Sequence, residues 1–202
     1  MRYLPAVFIL SAACVACSGG GTTVSPSSLT TSSSTGDPTI GFDGLSGLPP
    51  CSGPPKSPTT PSCAVNSHTE SGFTVTAISG NWSVRTDYGH PAPFIEFYVP
   101  CVGTPCATPA TPGIGTIQVT AAGATFSFKS VDLYASLVPI PYQITGLRHS
   151  TTAFTIANTL PNTFGDFATV VNPQAADVID TLVISLTDAV SAMGVDNIVL
   201  TR

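Results

Sequence analysis

Charged side chains are scarce in this sequence. Lys and Arg together number 6 and Asp and Glu together 11 in 202 residues, so the formal net charge at pH 7 is −5. A nucleic-acid partner is excluded, because it requires a basic patch or stripe that so few basic residues do not supply. Thr, Ser, Val, Gly and Pro are abundant, a composition typical of extracellular β-proteins. The length allows one domain and a tail.

The residue constellations of common enzymes are also missing. The sequence has no Gly-x-Ser-x-Gly elbow for a nucleophilic serine and no glycine-rich phosphate-binding loop. Glu70 and Glu96 are the only glutamates, and Glu96 lies within an apolar strand pattern, so a paired-carboxylate glycosidase site has few candidates. Asp177 and Asp180 are three residues apart, which would place them on opposite faces of a strand. We therefore expect no enzyme, and a hydrolase is the least favoured function.

Long apolar stripes at helical spacing are absent, and no internal repeat is evident. Short apolar–polar alternations are instead separated by turn residues such as Ala122-Gly and Asn172-Pro. The fold class that this pattern predicts is all-β, an antiparallel β-sandwich of the jelly-roll type. The predicted strands are residues 73–79, 82–86, 94–99, 115–121, 125–135, 140–147, 152–158, 167–170, 178–186 and 195–201.

Residues 125–135 are predicted to form the central strand. Phe126 and Phe128 alternate with polar partners, and the apolar phase then slips by one residue. A β-bulge at Lys129–Ser130 would keep the apolar side chains before and after it on the core side while the strand bends. The buried face would then comprise Phe126, Phe128, Val131 and Leu133.

Residues 1–17 have the features of an export signal. Arg2 supplies the positive charge, and the apolar run that follows is too short to span a bilayer. Cys17, followed by Ser-Gly-Gly-Gly, resembles the lipidated cysteine of a bacterial lipoprotein, although Cys14 stands where the lipoprotein pattern prefers Leu, Val or Ile. A plain secretory signal is the alternative. In either case we expect the protein outside the cytoplasm, lipid-anchored in the bacterial cell envelope or secreted.

Residues 18–63 are crowded with Ser, Thr, Pro and Gly. This composition predicts a flexible tether between the anchor and a domain at residues 64–202. Within the tether, the stretch from Ile40 to Leu45 is more apolar than its surroundings. The alternatives are docking on the domain and a local unstructured patch, and the sequence favours the patch.

Four cysteines remain once the signal is removed. An even number in an oxidising compartment favours two local bridges, although three pairings are possible. A zinc site is not expected, because the spacing lacks a second cysteine pair or neighbouring histidine ligands. The preferred bridges are Cys51–Cys63 and Cys101–Cys106.

Several short motifs follow one another through the domain. They are Glu70-Ser-Gly-Phe, Ser130-Val-Asp-Leu-Tyr, Ile144-Thr-Gly-Leu, Asn162-Thr-Phe-Gly-Asp-Phe, Ile179-Asp-Thr-Leu and Gly194-Val-Asp-Asn-Ile. In this order they resemble the galactose-binding-like jelly-roll modules of secreted bacterial proteins. The resemblance implies a carbohydrate ligand and a structural Ca²⁺ held by Glu70 and Asp196. Asp132 is a further candidate ligand if the central strand lies beneath these two residues. Carboxylate and carbonyl oxygens suit this ion. The alternative is that Asp196 only accepts hydrogen bonds from loop amides.

A sugar site needs an aromatic platform with polar groups around it. Trp82 is expected in the core, as a single Trp in a small β-domain usually is. The candidate ligand-binding residues are Arg85, Asp87, Tyr88, His90 and Tyr134, with Tyr142 as a further aromatic. The hypothesis is a non-catalytic cell-surface lipoprotein that binds a glycan or another envelope component. The alternative is a structural or protein-interaction module without a sugar ligand.

Overall fold

A computed structural model describes residues 36–46, 64–86, 93–98, 113–135, 138–164, 166–188 and 193–202. They belong to one compact unit that begins at Gly36. These ranges contain β-strands and one short 3-10 turn (Asp43–Leu45), and no α-helix. The strands are β1 (Thr39–Ile40), β2 (Ser67–Glu70), β3 (Phe73–Ser79), β4 (Asn81–Arg85), β5 (Phe94–Tyr98), β6 (Gly113–Thr120), β7 (Ser127–Ala135), β8 (Ile140–Arg148), β9 (Thr151–Leu160), β10 (Ala168–Val171), β11 (Thr181–Asp188) and β12 (Met193–Thr201).

The strands form two antiparallel sheets. Sheet A has the order β10-β7-β12-β5-β4, and β1 pairs with the C-terminal half of β12. Sheet B has the order β2-β3-β6-β11-β8-β9. The chain passes from one sheet to the other at most connections, including β5 to β6, β6 to β7, β7 to β8 and each step from β9 to β12. Neighbours in each sheet are therefore mostly distant in sequence.

Apolar–polar alternation explains how the two sheets share one core. On β6, Ile117 and Val119 are buried while Gln118 between them is partly exposed. On β11, Leu182 and Ile184 alternate in the same way. The inward side chains of both sheets join a single apolar cluster. The all-β prediction is thus confirmed as a sandwich of two antiparallel sheets.

The predicted central strand, residues 125–135, is confirmed from Ser127 onward as β7, and Phe126 before it forms an isolated bridge with Ile179. Phe126, Phe128, Val131 and Leu133 are all buried, with at most 2% of their surface exposed. The bulge lies where the sequence predicts it, because Ser130 pairs with Val199 and Phe128 with Leu200, which leaves Lys129 as the extra residue. The strand β7 is flanked by β10 and β12, so it lies inside sheet A.

The apolar stretch from Ile40 to Leu45 is part of the domain, so the expectation of an unstructured patch is wrong. Ile40 and Phe42 are fully buried in the core, and β1 pairs through Thr39 with Val199. The physical reason lies in sheet A. The strand β5 pairs only with residues 193–195 at the start of β12, so the same side of the second half of β12 is open, and β1 pairs there. The burial of Ile40 and Phe42 stabilises this short segment once the edge of β12 is available for pairing.

The strand β2 was not predicted from the sequence. Its residues, Ser-His-Thr-Glu, are polar and half-exposed, so they carry no apolar alternation. It exists because it extends sheet B beside β3, with Glu70 opposite Phe73. Among the described residues, no helix is long and apolar enough to cross a membrane.

Candidate functional site

Asp196 is a fully buried carboxylate on β12. Its Oδ1 accepts a hydrogen bond from the backbone N–H of Asn197 at 2.8 Å. Its Oδ2 is buried and has no hydrogen-bond partner among the described residues. Leaving a buried charged oxygen without a partner is costly, so a proton, a cation or a buried water would stabilise this atom.

A second irregularity of the β7–β12 ladder positions this side chain. Asp196 pairs with Asp132, but the next pair joins Val199 to Ser130, so β12 carries an extra residue here. Asn197 lies in that bulge with φ of 44°, a left-handed conformation that Asn tolerates better than most residues. The bulge turns the Asn197 side chain so that its Nδ2 donates to Asp132 Oδ2 at 3.0 Å.

Asp132 is already well satisfied. Besides the bond from Asn197, its Oδ1 accepts a hydrogen bond from Thr169 Oγ1 at 2.6 Å. Each oxygen accepts one hydrogen bond and keeps a further lone pair, so these bonds do not prevent Asp132 from acting as a metal ligand. In the present geometry it orients Asn197 and adds negative charge beside Asp196.

The N-terminal segment brings further carboxylates to the same region. Glu70 Oε2 accepts a hydrogen bond from the backbone N–H of Phe42 at 2.8 Å and lies 3.0 Å from His68 Nε2. Phe42 has a φ of 57°, and Asp43 follows it at the start of the 3-10 turn. The charges of Asp43 and Glu70 are both close enough to act on Asp196. Glu70 and Asp43 therefore belong to the electrostatic surroundings of Asp196, and a metal ion shared by Glu70 and Asp196 stays a prediction.

Burial is the main reason that the pKa of Asp196 is raised from 3.8 to about 8. The N–H of Asn197 acts in the opposite direction, and the charges of Asp132, Asp43 and Glu70 raise the pKa further. At neutral pH and without an ion, Asp196 therefore holds a proton. A divalent cation in contact with Oδ2 would replace that proton.

The available donor atoms are carboxylate oxygens, which are the type of ligand that a hard cation such as Ca²⁺ prefers. Within the described ranges, however, no three His, Cys, Asp or Glu side chains converge closely enough to hold an ion by themselves. An ion at Asp196 would therefore need backbone carbonyls or water as additional ligands. Asp43 was missed from the sequence because its segment was assigned to the tether.

Arg85 and Tyr134 are buried, contrary to the expectation that they form part of an open sugar platform. Arg85 is 5% exposed, and its Nε lies 3.5 Å from Glu96 Oε2. Tyr134 is also 5% exposed and packs against the rings of Phe94 and Phe167, with centroids 5.8 and 5.6 Å away. Tyr134 is buried because Phe94 and Phe167 pack around its ring on the outer face of sheet A.

Trp82 is buried at 3% exposure, which confirms its place in the core. Asp87, Tyr88 and His90 lie outside the described residues, and their ligand-binding role stays a prediction. The same holds for the lipidation site and the two bridges, since all of their cysteines lie outside the described ranges. Those cysteines are Cys17, Cys51, Cys63, Cys101 and Cys106.

An open groove of about 440 Å³ lies on the outer face of sheet B. Four neighbouring strands, β6, β11, β8 and β9, supply its lining, and none of the lining side chains is charged. Gln143, Ser185 and Thr187 supply its outward polar side chains, and Ile114 and Pro141 supply apolar ones. Tyr142 and its partner Asn158 also border the groove, but they share the strand phase of the buried Ile144 and Leu160, and the Tyr142 ring packs against the core. Tyr142 is half-buried, and this burial raises the pKa of its hydroxyl.

The polar groups of this face hold one another in place. Thr116 Oγ1 lies 3.1 Å from Ser185 Oγ, and Gln143 Nε2 donates to Thr145 Oγ1 at 3.2 Å. Thr116, Ser185, Gln143 and Ala157 are consecutive partners across the four strands, so they form one rung of the sheet. Sequence alternation places each residue on an outward face, but the order of the strands, which unites them, is a property of the tertiary structure.

Comparison with known proteins gives distant likenesses. No protein-family model and no curated protein matches the chain. Among solved structures, the enzymatically active domain of bacteriophage CBA120 tailspike protein 4 is 14% identical, over 64% of this chain and 19% of that chain, with a TM-score of 0.39. This chain thus spans about a fifth of that protein's length.

Two carbohydrate-binding modules are also similar in structure. TmCBM61, solved in complex with β-1,4-galactotriose, is 8% identical over 64% of this chain and 88% of that chain, with a TM-score of 0.38. A CBM4 structure is 15% identical over 68% of this chain and 76% of that chain, with a TM-score of 0.26. At these identities and TM-scores the likenesses assign neither a family nor a function.

Proposed function

We propose that this chain is a non-catalytic module that binds an uncharged glycan in the groove of sheet B. The observation that carries the proposal is the chemistry of the lining, in which outward amide and hydroxyl groups lie beside exposed apolar side chains without any charged side chain. Sugar hydroxyls need hydrogen-bonding partners, and sugar rings pack on aromatic side chains. Gln143 and Ser185 offer the former, and Ile114 and Pro141 offer an apolar surface in place of a ring.

The rigidity of the scaffold supports the proposal. The lining residues lie on paired strands rather than on a loop, and their neighbours already restrain Ser185 and Gln143 by hydrogen bonds. Binding groups that are ordered before the ligand arrives lose less conformational entropy on binding.

A structural Ca²⁺ at Asp196 is the second part of the proposal. Glu70 and Asp43 are the other carboxylates that would hold it, with Asp132 orienting Asn197 beside them. The unpartnered, buried Oδ2 of Asp196 supports this site. The ion would neutralise the clustered carboxylates, and because Asp43 belongs to the N-terminal segment, it would also fasten that segment to the core.

The envelope location completes the proposal. Lipid on Cys17 anchors the chain, residues up to 35 serve as a tether, and the bridges Cys51–Cys63 and Cys101–Cys106 close local loops. The sandwich is of the jelly-roll type, which the frequent passage of the chain between the sheets supports. Exported chains with paired cysteines and low charge are the class in which such modules occur.

A glycan-array screen tests the proposed function. The chain from Gly36 onward, where the compact unit begins, is applied in Ca²⁺ and again in EDTA. Binding under both conditions supports the groove and separates it from the ion, whereas binding lost in EDTA ties the two together. A blank array under both conditions contradicts the glycan proposal and favours the structural or protein-interaction alternative.

A matched pair of variants locates the binding site. Gln143→Ala removes an amide from the groove and is expected to weaken binding at least about tenfold, as the loss of a buried hydrogen bond does. Gln118→Ala removes an amide from β6, on the same outer face of sheet B but outside the groove lining. This variant should bind like the original protein. Equal loss in both variants would mean that the ligand does not lie in the groove.

A further inference from the structure

Strand β9 is a long, exposed edge of sheet B. It spans Thr151–Leu160 and pairs with β8, and no other described strand pairs with it. Seven of its ten residues are exposed. An edge strand presents a row of backbone N–H and C=O groups to which a further strand can pair.

The devices that usually block such an edge are largely missing from β9. The strand has no charged residue and no proline. One bulge occurs near its start, where Gly146 pairs with Phe154 and Leu147 with Thr152, so Ala153 is the extra residue. Beyond this bulge, residues 154–160 pair with β8 without interruption.

The regular part of β9 is complementary to itself. Its sequence, Phe-Thr-Ile-Ala-Asn-Thr-Leu, reads similarly in both directions around Ala157. In an antiparallel pair of two copies centred on Ala157, Thr155 of each copy faces Thr159 of the other on the outer face of the sheet. On the inner face, Phe154 faces Leu160, and Ile156 faces Asn158. Cross-strand pairs of like, β-branched or apolar residues are favourable in antiparallel sheets.

We propose that two copies of this chain pair through strand β9, antiparallel and centred on Ala157, and so extend sheet B across a twofold axis. The pairing would form about four to eight backbone hydrogen bonds, depending on which alternate residues point outward. The N–H of Thr159 is already bonded to Asn158 Oδ1, which lowers the number toward the smaller value. Two six-stranded sheets would then form one sheet of twelve strands.

The size of the contact limits the strength of the dimer. Seven residues extend over roughly 23 Å, and a strip about 10 Å wide gives roughly 460 Å² buried in total. This is less than half of the area of a stable interface, so the dimer is weak and depends on concentration. Chains tethered to one surface would reach high local concentrations, and pairing is expected there.

The same pairing joins the two grooves, and this part of the inference rests on the proposed function. Ala157 lines the groove and ends the rung that runs from Thr116 through Ser185 and Gln143. Centring the dimer on Ala157 continues that rung into the partner copy on the same face. With strands about 4.8 Å apart, the joined rung spans roughly 34 Å. The ligand class it fits is a long glycan chain rather than a short oligosaccharide.

Charge variants on the edge test the dimer. Sedimentation is measured on the full chain with Cys17→Ser, which removes the proposed lipid, over micromolar to millimolar concentrations. Thr155→Glu/Thr159→Glu places two like-charge pairs opposite each other and should weaken dimerisation at least about tenfold, as should Thr155→Lys/Thr159→Lys. Mixing the two variants should restore the dimer. Thr145→Glu, on β8 beside Thr155 and one strand in from the edge, is the control and should dimerise normally.

Three results would overturn the dimer. They are a monomeric original protein at every concentration, an acidic variant that dimerises normally, or a mixture of acidic and basic variants that stays monomeric. Melting curves of the variants check the fold, which exposed substitutions of this kind change little. The variants leave the groove lining intact, so on the array they should still bind short glycans but lose any preference for long ones. A retained preference refutes the joined groove, and a blank array refutes the glycan proposal while leaving the dimer test valid.

Discussion

The substitution Asp196→Asn gives the sharpest test of the buried carboxylate. Without an ion, the folded protein binds a proton at Asp196 up to a pKa of about 8, whereas the unfolded chain releases it near 3.8. Between these values the folded state holds more protons than the unfolded state, so the free energy of unfolding falls as the pH rises. Each pH unit costs about 1.4 kcal/mol, so the loss from pH 5 to pH 7 is about 3 kcal/mol.

Asparagine keeps the shape of the side chain but does not titrate. Its amide can accept from the Asn197 N–H as Asp196 does, and its Nδ2 can donate toward the surrounding carboxylates. In EDTA, the variant is therefore expected to lose the part of the pH slope that Asp196 causes. The stabilisation that Ca²⁺ adds to the original protein should grow as the pH rises toward 8, because the ion competes with the proton, and so offset the loss seen in EDTA; the variant should gain no stability from Ca²⁺.

Urea unfolding at pH 5, 6 and 7 measures these differences, with and without EDTA. The control is Asp180→Asn, because the pKa of Asp180 is lowered, chiefly by the hydrogen bond from the His149 N–H. The stability that Asp180 contributes is present above its unfolded pKa and lost only as the pH falls below it, so the slope from pH 5 to 7 should not change. Equal slopes for the original protein and Asp196→Asn would refute the raised pKa. A Ca²⁺ shift that persists in the variant would remove Asp196 from the ion site.

Two core truncations test the placement of particular segments. Phe128→Ala should lower the free energy of unfolding by about 3–5 kcal/mol, since Phe128 is fully buried on the central strand, and an unchanged urea midpoint would contradict that position. Phe42→Ala should cost a similar amount, because its ring is equally buried although it lies in the N-terminal segment. A loss below about 1 kcal/mol for Phe42→Ala would mean that this segment does not belong to the core.

The local pattern of residues was enough to establish the strands and the class of the fold. The apolar–polar alternation predicted β3 with its exact bounds, and it predicted the bulge of the central strand. Successive side chains on a strand point to opposite faces of the sheet, so a change of phase is visible in the sequence. The same argument failed for β2 and for residues 36–46. In both, few apolar residues stand next to each other, and pairing with a distant strand supplies the stability that the local sequence lacks.

The candidate sites depended on which distant strands become neighbours. The sequence pairs Glu70 with Asp196 only through a resemblance, and it does not show that the charge of Asp43 acts on Asp196. The groove requires four strands whose order along the sheet differs from their order in the chain. Burial likewise decided against Arg85 and Tyr134 as exposed ligand-binding residues. A residue's face follows from its position on a strand, but its partners follow from contacts between strands far apart in sequence, which only the folded chain brings together.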